Sequence, residues 1–89
     1  MRAVISVIGK DAVGILAGVA AECERFNVNI TDVTQSILQD MFVMVMMTDI
    51  SDMSGGFADF SDALSALGER RGLSVKVMHE DIFNAMHTV

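Results

Sequence analysis

The spacing of apolar positions changes along the chain in a regular order. In residues 2–9, Arg-Ala-Val-Ile-Ser-Val-Ile-Gly, positions Ala3, Ile5 and Val7 share one parity, the period that a strand requires. Beyond Gly14, residues Leu16, Val19, Ala20, Cys23 and Phe26 stand at offsets 0, 3, 4, 7 and 10, which predicts one apolar stripe of a helix. Gly18 inside that helix costs about 1 kcal/mol against Ala, and close packing of helix on sheet would account for it. Residues 28–38 return to strand spacing, but apolar parity switches between Ile30 and Val33. That switch predicts a bulge or sharp twist near Thr31-Asp32, and the polar content predicts an edge strand. Gln39-Asp40 makes a short hairpin into Met41 to Met47, apolar on both parities as in the middle of a sheet.

After a turn from Asp49 to Gly56, residues Phe57, Phe60, Leu64 and Leu67 recur at offsets 0, 3, 7 and 10, predicting a second helix. Ser54 is a candidate cap, and Arg70-Arg71-Gly72 a fitting end, with cations at the negative pole and Gly past it. Leu73, Val75 and Val77 alternate with Ser74, Lys76 and Met78 as a fourth strand, and residues 81–89 predict two helical turns burying Ile82 and Met86. The order βαββαβ implies one α+β domain over residues 1–89, with a core at 2–80 and a tail at 81–89. Right-handed crossovers make it a ferredoxin-like sandwich: a four-stranded antiparallel sheet with strands one and three central, and both helices on one face. The helix-free face would still hold apolar residues of strand three. It therefore needs a cover, either a second copy or the tail, and a homodimer is expected.

Composition narrows the function. With 52% hydrophobic and 20% charged residues the 89-residue chain is not disordered. The longest apolar run, Met41 to Met47, is far short of the ~20 residues of a membrane helix, and no signal peptide is visible at the start. Six basic against twelve acidic residues give a net charge of −6, which argues against direct nucleic-acid binding and for small-molecule or protein partners. The single Cys23 excludes an intramolecular disulfide and any Cys-x-x-Cys motif. It suits a reducing cytoplasm and reads as a small buried hydrophobe.

Candidate chemistry gathers at the first turn, Gly9-Lys10-Asp11-Ala12-Val13-Gly14-Ile15-Leu16. Gly14 permits a tight entry into the helix and removes a Cβ from the approach of a ligand. Backbone N–H groups of residues 12 to 16 and the helix dipole favour an anion such as a carboxylate. Asp11 is placed to receive an ammonium, and Asn29 offers a donor and an acceptor. An α-amino acid presents both charges on one carbon, so Asp11, Ala12, Val13, Gly14 and Asn29 form the candidate ligand site. The plainer readings are a helix start for Asp11 and Gly14, and service to a bent strand's backbone for Asn29. The methionines at 41, 44, 46 and 47 read as core or interface rather than a copper site, and His79-Glu80-Asp81 alternate faces rather than chelate. His87 reads as a solvated or tail-packing residue.

These residues carry a resemblance. The first turn is similar to the acidic-or-Asn, x, x, Gly, aliphatic, Leu pattern of the ACT domain family, and Asn27-Val28-Asn29-Ile30 resembles that family's entry into strand two. The resemblance spans residues 2–80, and the tail from Glu80 to His87 resembles small stand-alone ACT proteins related to the glycine cleavage system regulator. It implies a regulatory, non-enzymatic domain that binds an amino-acid-like effector between the first turn of one subunit and strand two of a neighbour. It also implies a homodimer and a regulated protein partner, with no cofactor. Carried over residue by residue, it implicates Asp11, Gly14 and Asn29. Ala12 and Val13 stand where many members have Arg-Pro, so a basic contact is missing from the turn.

Two other classes compete. An acylphosphatase-like enzyme shares the topology but needs an Arg in the first turn, where only Lys10 is present. No Ser-His-Asp or Cys-His arrangement and no metal site is suggested, and a base-stacking RNA surface would have only Phe42 on the central strands. A ligand-free dimerisation or partner-docking module is the stronger competitor.

Overall fold

The computed structural model describes residues 1–10 and 13–86. The chain runs β1 (Arg2–Gly9), α1 (Ile15–Arg25), β2 (Asn29–Leu38), β3 (Met41–Asp49), α2 (Phe57–Arg71), β4 (Ser74–His79) and α3 (Glu80–Met86). The strands form one antiparallel sheet in the order β2-β3-β1-β4, so β1 and β3 are central and β2 is an edge, the expected ferredoxin-like arrangement.

Alternation along the central strands builds the core. Ala3, Ile5 and Val7 lie opposite Thr48, Met46 and Met44 in the β1–β3 register, and all six are fully buried. The same face takes Ile15, Val19 and Cys23 of α1 and Phe60, Leu64 and Leu67 of α2, which places both helices on one side of the sheet. Thr48 is the buried polar residue of this face; its hydroxyl donates to the Ala3 carbonyl at 2.9 Å, so its burial leaves no orphaned group. Phe26 meets Phe60 edge to face with ring centroids 5.3 Å apart, closing the corner after α1.

The parity switch in β2 is a bulge. Its register against β3 slips between Ile30 and Asp32. Thr31 Oγ1 donates to the Met47 carbonyl at 3.2 Å, and Asp32 Oδ1 accepts from the Val33 amide at 2.9 Å. Two side chains thus serve the backbone that the bulge disturbs.

Four expectations need correction. The α1 stripe is Ile15, Val19 and Cys23, spaced by four, while Leu16 is 43% exposed. Two adjacent aliphatic residues let the pattern fit either phase. Gly18 makes room for α2 rather than for the sheet: a Cβ there would stand 3.3 Å from both Leu67 δ carbons. Ser54 does not cap α2. Gly56 holds the N-cap position without a side-chain bond, and the Ser54 amide instead donates to the Phe26 carbonyl at 2.7 Å. The tail is helical, but Ile82 and Met86 are exposed at 53% and 66%. α3 is short and packs on β1 and β4, tied by the Arg2–Glu80 ion pair.

The face opposite α1 and α2 is apolar along β3 and polar along β2. Val4 is buried there between Met47 and Met78, its register partners on the two flanking strands. Met41, Val43 and Val45 are half-buried, and Ile8 and Leu38 are exposed. Among the described residues no helix is long and apolar enough to cross a membrane.

Candidate functional site

The first turn is shaped by Gly14. Its φ of +76° lies in the left-handed region, and its carbonyl accepts the first helical bond of α1 from the Gly18 amide at 3.0 Å. The amides of Ile15, Leu16 and Ala17 therefore precede the helical ladder and have no acceptor within it, a donor set shifted slightly along the chain from residues 12 to 16. Val13 and Gly14 are exposed, as are Leu16 and Ala17, so this end of α1 is open to solvent. Asp11 and Ala12 lie outside the described residues.

A residue that the sequence pattern did not place here completes the turn. Arg71, the last residue of α2, donates from Nη1 to the Val13 carbonyl at 3.1 Å. Gly72 then turns away in the left-handed conformation with φ +68°. The sequence showed only a cation suited to the end of its own helix, because a contact spanning 58 positions leaves no local pattern. Lys10, the basic residue nearest the turn in sequence, pairs instead with Asp40 across the hairpin end at 3.5 Å.

Asn29 is elsewhere. It opens β2 opposite Asp49, which in turn lies opposite Arg2 at the start of β1. Gly9, which leads into the first turn, pairs with Phe42 at the far end of the same sheet. Seven strand steps separate the ends, roughly 23 Å at ~3.3 Å each. A single copy therefore does not bring Gly14 and Asn29 together. The plain reading of Asn29 also fails, since Thr31 and Asp32 serve the bulge. Among the described residues the Asn29 side chain is exposed and makes no hydrogen bond. Its neighbour in the motif, Asn27, serves the backbone instead. At φ +57° Asn27 turns the chain, and its Nδ2 donates to the Asp52 carbonyl at 2.9 Å.

Around Asn29 the rim of the sheet is polar. The Asp49 carboxyl is held below its ordinary pKa by hydrogen bonds from the Ser51 hydroxyl and amide, at 2.6 and 2.9 Å. Arg2 is held above its ordinary value by its hydrogen bond and attraction to Glu80. A shallow recess of about 650 Å³ lies beside them, lined by Met1, Arg2, His79, Glu80, Asp81 and Ile82. Of its charged lining residues, Arg2 and Glu80 pair with each other. His79 stacks on Phe57 with centroids 4.3 Å apart while Glu80 turns to Arg2, so the adjacent His-Glu pair diverges. Met44 and Met46 are core, whereas Met41 and Met47 belong to the opposite face, so strand three splits its methionines.

The family model for the ACT domain matches residues 2–78. The chain belongs to the ACT domain family, whose members are ligand-binding regulatory domains. A UPF0237 protein of Listeria innocua is 46% identical over 87 residues, covering 98% of both chains. The solved ACT domain protein from Streptococcus pneumoniae superposes with a TM-score of 0.80 at 32% identity, again covering 98% of each chain. A structure assigned as a glycine cleavage system transcriptional repressor matches with a TM-score of 0.65 at 23% identity, over 85% of this chain and 43% of that one. That last likeness is one of fold.

Proposed function

We propose that this ACT domain is a cytoplasmic, non-enzymatic sensor of a small zwitterionic amino acid or related carboxylate. It acts as a homodimer and signals through a protein partner. The observation that carries the reading is the pair of half-sites at opposite ends of the sheet. One is a glycine turn whose amides lie outside the helical ladder; the other is an exposed Asn29 with no structural duty. A second copy running antiparallel to the first would set one half against the other. The turn's N–H groups then take the carboxylate, Asp11 the ammonium, and Asn29 of the other copy fixes orientation. With a net charge of −6, phosphate contacts would not hold the domain on DNA, so regulation passes through a protein.

A thermal-shift screen against the amino acids tests this, since a ligand stabilises the folded state by mass action and a bare scaffold shifts for none. Calorimetry with whichever amino acid the screen finds then reads three variants. Gly14→Val abolishes binding, because a branched side chain fills the approach at a left-handed φ. Asn29→Ala weakens binding while changing stability by under about 0.5 kcal/mol, as its side chain is exposed. Asp11→Asn weakens binding by roughly 1.5–3 kcal/mol if the carboxylate holds an ammonium. Binding indifferent to both Gly14→Val and Asn29→Ala would place the site elsewhere.

The second reading, a dimerisation module without effector, is favoured by one observation: the half-buried Met41, Val43, Val45 and Met47 on the face away from α1 and α2. It predicts a dimer in sedimentation and no shift in the screen.

A further inference from the structure

We propose that Arg71 is the positioning residue of the first-turn site: from the end of α2 it locks the turn and sets a positive charge over the start of α1. The proposal rests on the reading of that turn as the ligand site. Its starting point is a contact between elements far apart in sequence, the Arg71 Nη1 donation to the Val13 carbonyl at 3.1 Å. That carbonyl belongs to the peptide entering Gly14, so the bond fixes the peptide plane just before the left-handed residue.

Two glycines make the contact possible. A Cβ at Gly14 would stand 3.1 Å from Arg71 Nη1, and a Cβ at Gly18 would stand 3.8 Å from Nη2. The guanidinium therefore occupies space that side chains at either position would take, and it lies over the first turn of α1.

The electrostatics point the same way. At the end of α2 a cation is favoured by its own helix, but the side chain reaches the positive pole of α1. The first helical turn of α1 itself holds no acidic residue, and Lys10 is turned to Asp40. A guanidinium and a helix N-terminus then meet at one place, with several of the five N–H donors of Arg beyond the one spent on Val13. An anionic group answers both.

The test has one arm without ligand and one with it. Hydrogen exchange is measured at the Gly18 and Val19 amides in the unliganded protein, since the Gly18 bond to Gly14 closes the turn. Arg71→Ala is expected to speed this exchange about tenfold, the effect of losing one charge-assisted bond, and to lower the melting temperature by no more than that bond accounts for, roughly 6–11 °C. Calorimetry with glycine and with L-serine is expected to show about a tenfold affinity loss in Arg71→Ala, and partial retention in Arg71→Lys, which keeps charge without the planar fork. Millimolar guanidinium is expected to restore part of the affinity of Arg71→Ala, which a purely structural role would not allow. Unchanged exchange in Arg71→Ala overturns the proposal, as does wild-type affinity in that variant. If the parent binds neither probe, the ligand reading fails, and the exchange arm still decides for or against the lock.

Discussion

Replacing Gly68 by Ala should reverse the ordinary preference of helices. In an unhindered helix interior this exchange stabilises by about 1 kcal/mol. Gly68 lies in α2 where the helix crosses β4. A Cβ there would stand 2.7 Å from the Leu73 carbonyl oxygen, 2.7 Å from Val75 Cγ2 and 3.1 Å from Val75 Cβ. The oxygen is backbone, and the Leu73 amide is tied to the Gly68 carbonyl at 2.8 Å, so neither side yields by a rotamer change. Relief needs α2 to move away from β4. Overpacking costs about 1–3 kcal/mol. With backbone on both sides the upper end applies, and subtracting the ~1 kcal/mol propensity gain leaves a net loss of about 2 kcal/mol. For a domain of this size each kcal/mol lowers the melting temperature by about 4–8 °C, so a fall of roughly 8–16 °C is expected. Circular dichroism at one fixed protomer concentration measures it, because an oligomer's transition moves with concentration. Gly72→Ala is the control: at φ +68° with nothing within 4 Å, it carries strain alone and should lose only about 1 kcal/mol. A Gly68→Ala protein that melts at or above the parent would refute the argument.

Two further outcomes follow from single side chains. Cys23 is 1% exposed, and burial, aided by Glu22, pushes its thiol up to about 11, so disulfide reagents at pH 8 should label it only as fast as the domain opens. Because the folded value is the higher one, stability tied to the neutral thiol is present below pH 9 and is lost as pH rises toward 11, a decline that urea titrations should find reduced in Cys23→Ala. Glu80→Gln removes the Arg2 partner at an exposed pair and should cost under about 1 kcal/mol globally while raising amide exchange within α3.

The fold was legible because its signals are periodic and local. Alternation in β1 and the two-parity run of β3 set the centre of the sheet, and the parity switch after Ile30 located the bulge to the residue pair. Errors arose where two residues offer the same chemistry to a period. Ile15 and Leu16 fit the α1 stripe equally, and the left-handed Gly14 decides the phase by tucking Ile15 under the turn. Ser54 fits a cap by type, but the chain needs its amide against Phe26 two residues before the helix entry at Gly56. Of the candidate site, Gly14 and Asn29 could be named from the sequence because they belong to local motifs. The contact of Arg71 with the first turn could not, because it is tertiary and made through space that two glycines leave open.

Sheet direction explains why the proposed site would need two copies. β1 and β2 are each antiparallel to β3, hence parallel to each other, so both start at one end of the sheet and the turn after β1 lies at the other. α1 spans that gap with 11 residues, about 16 Å of helix, and no loop movement short of unfolding α1 would join Gly14 to Asn29. A two-fold axis perpendicular to the strands reverses the direction of a second copy, which is the operation that would set the first end of one sheet beside the last end of another. A ligand held between them touches both copies. Linkage then requires that it tighten the dimer by the same free energy with which the dimer tightens the ligand. Affinity measured at rising dilution should therefore fall where the copies separate, and Asn29→Ala should weaken the ligand-induced gain in dimer stability while leaving the unliganded dimer unchanged.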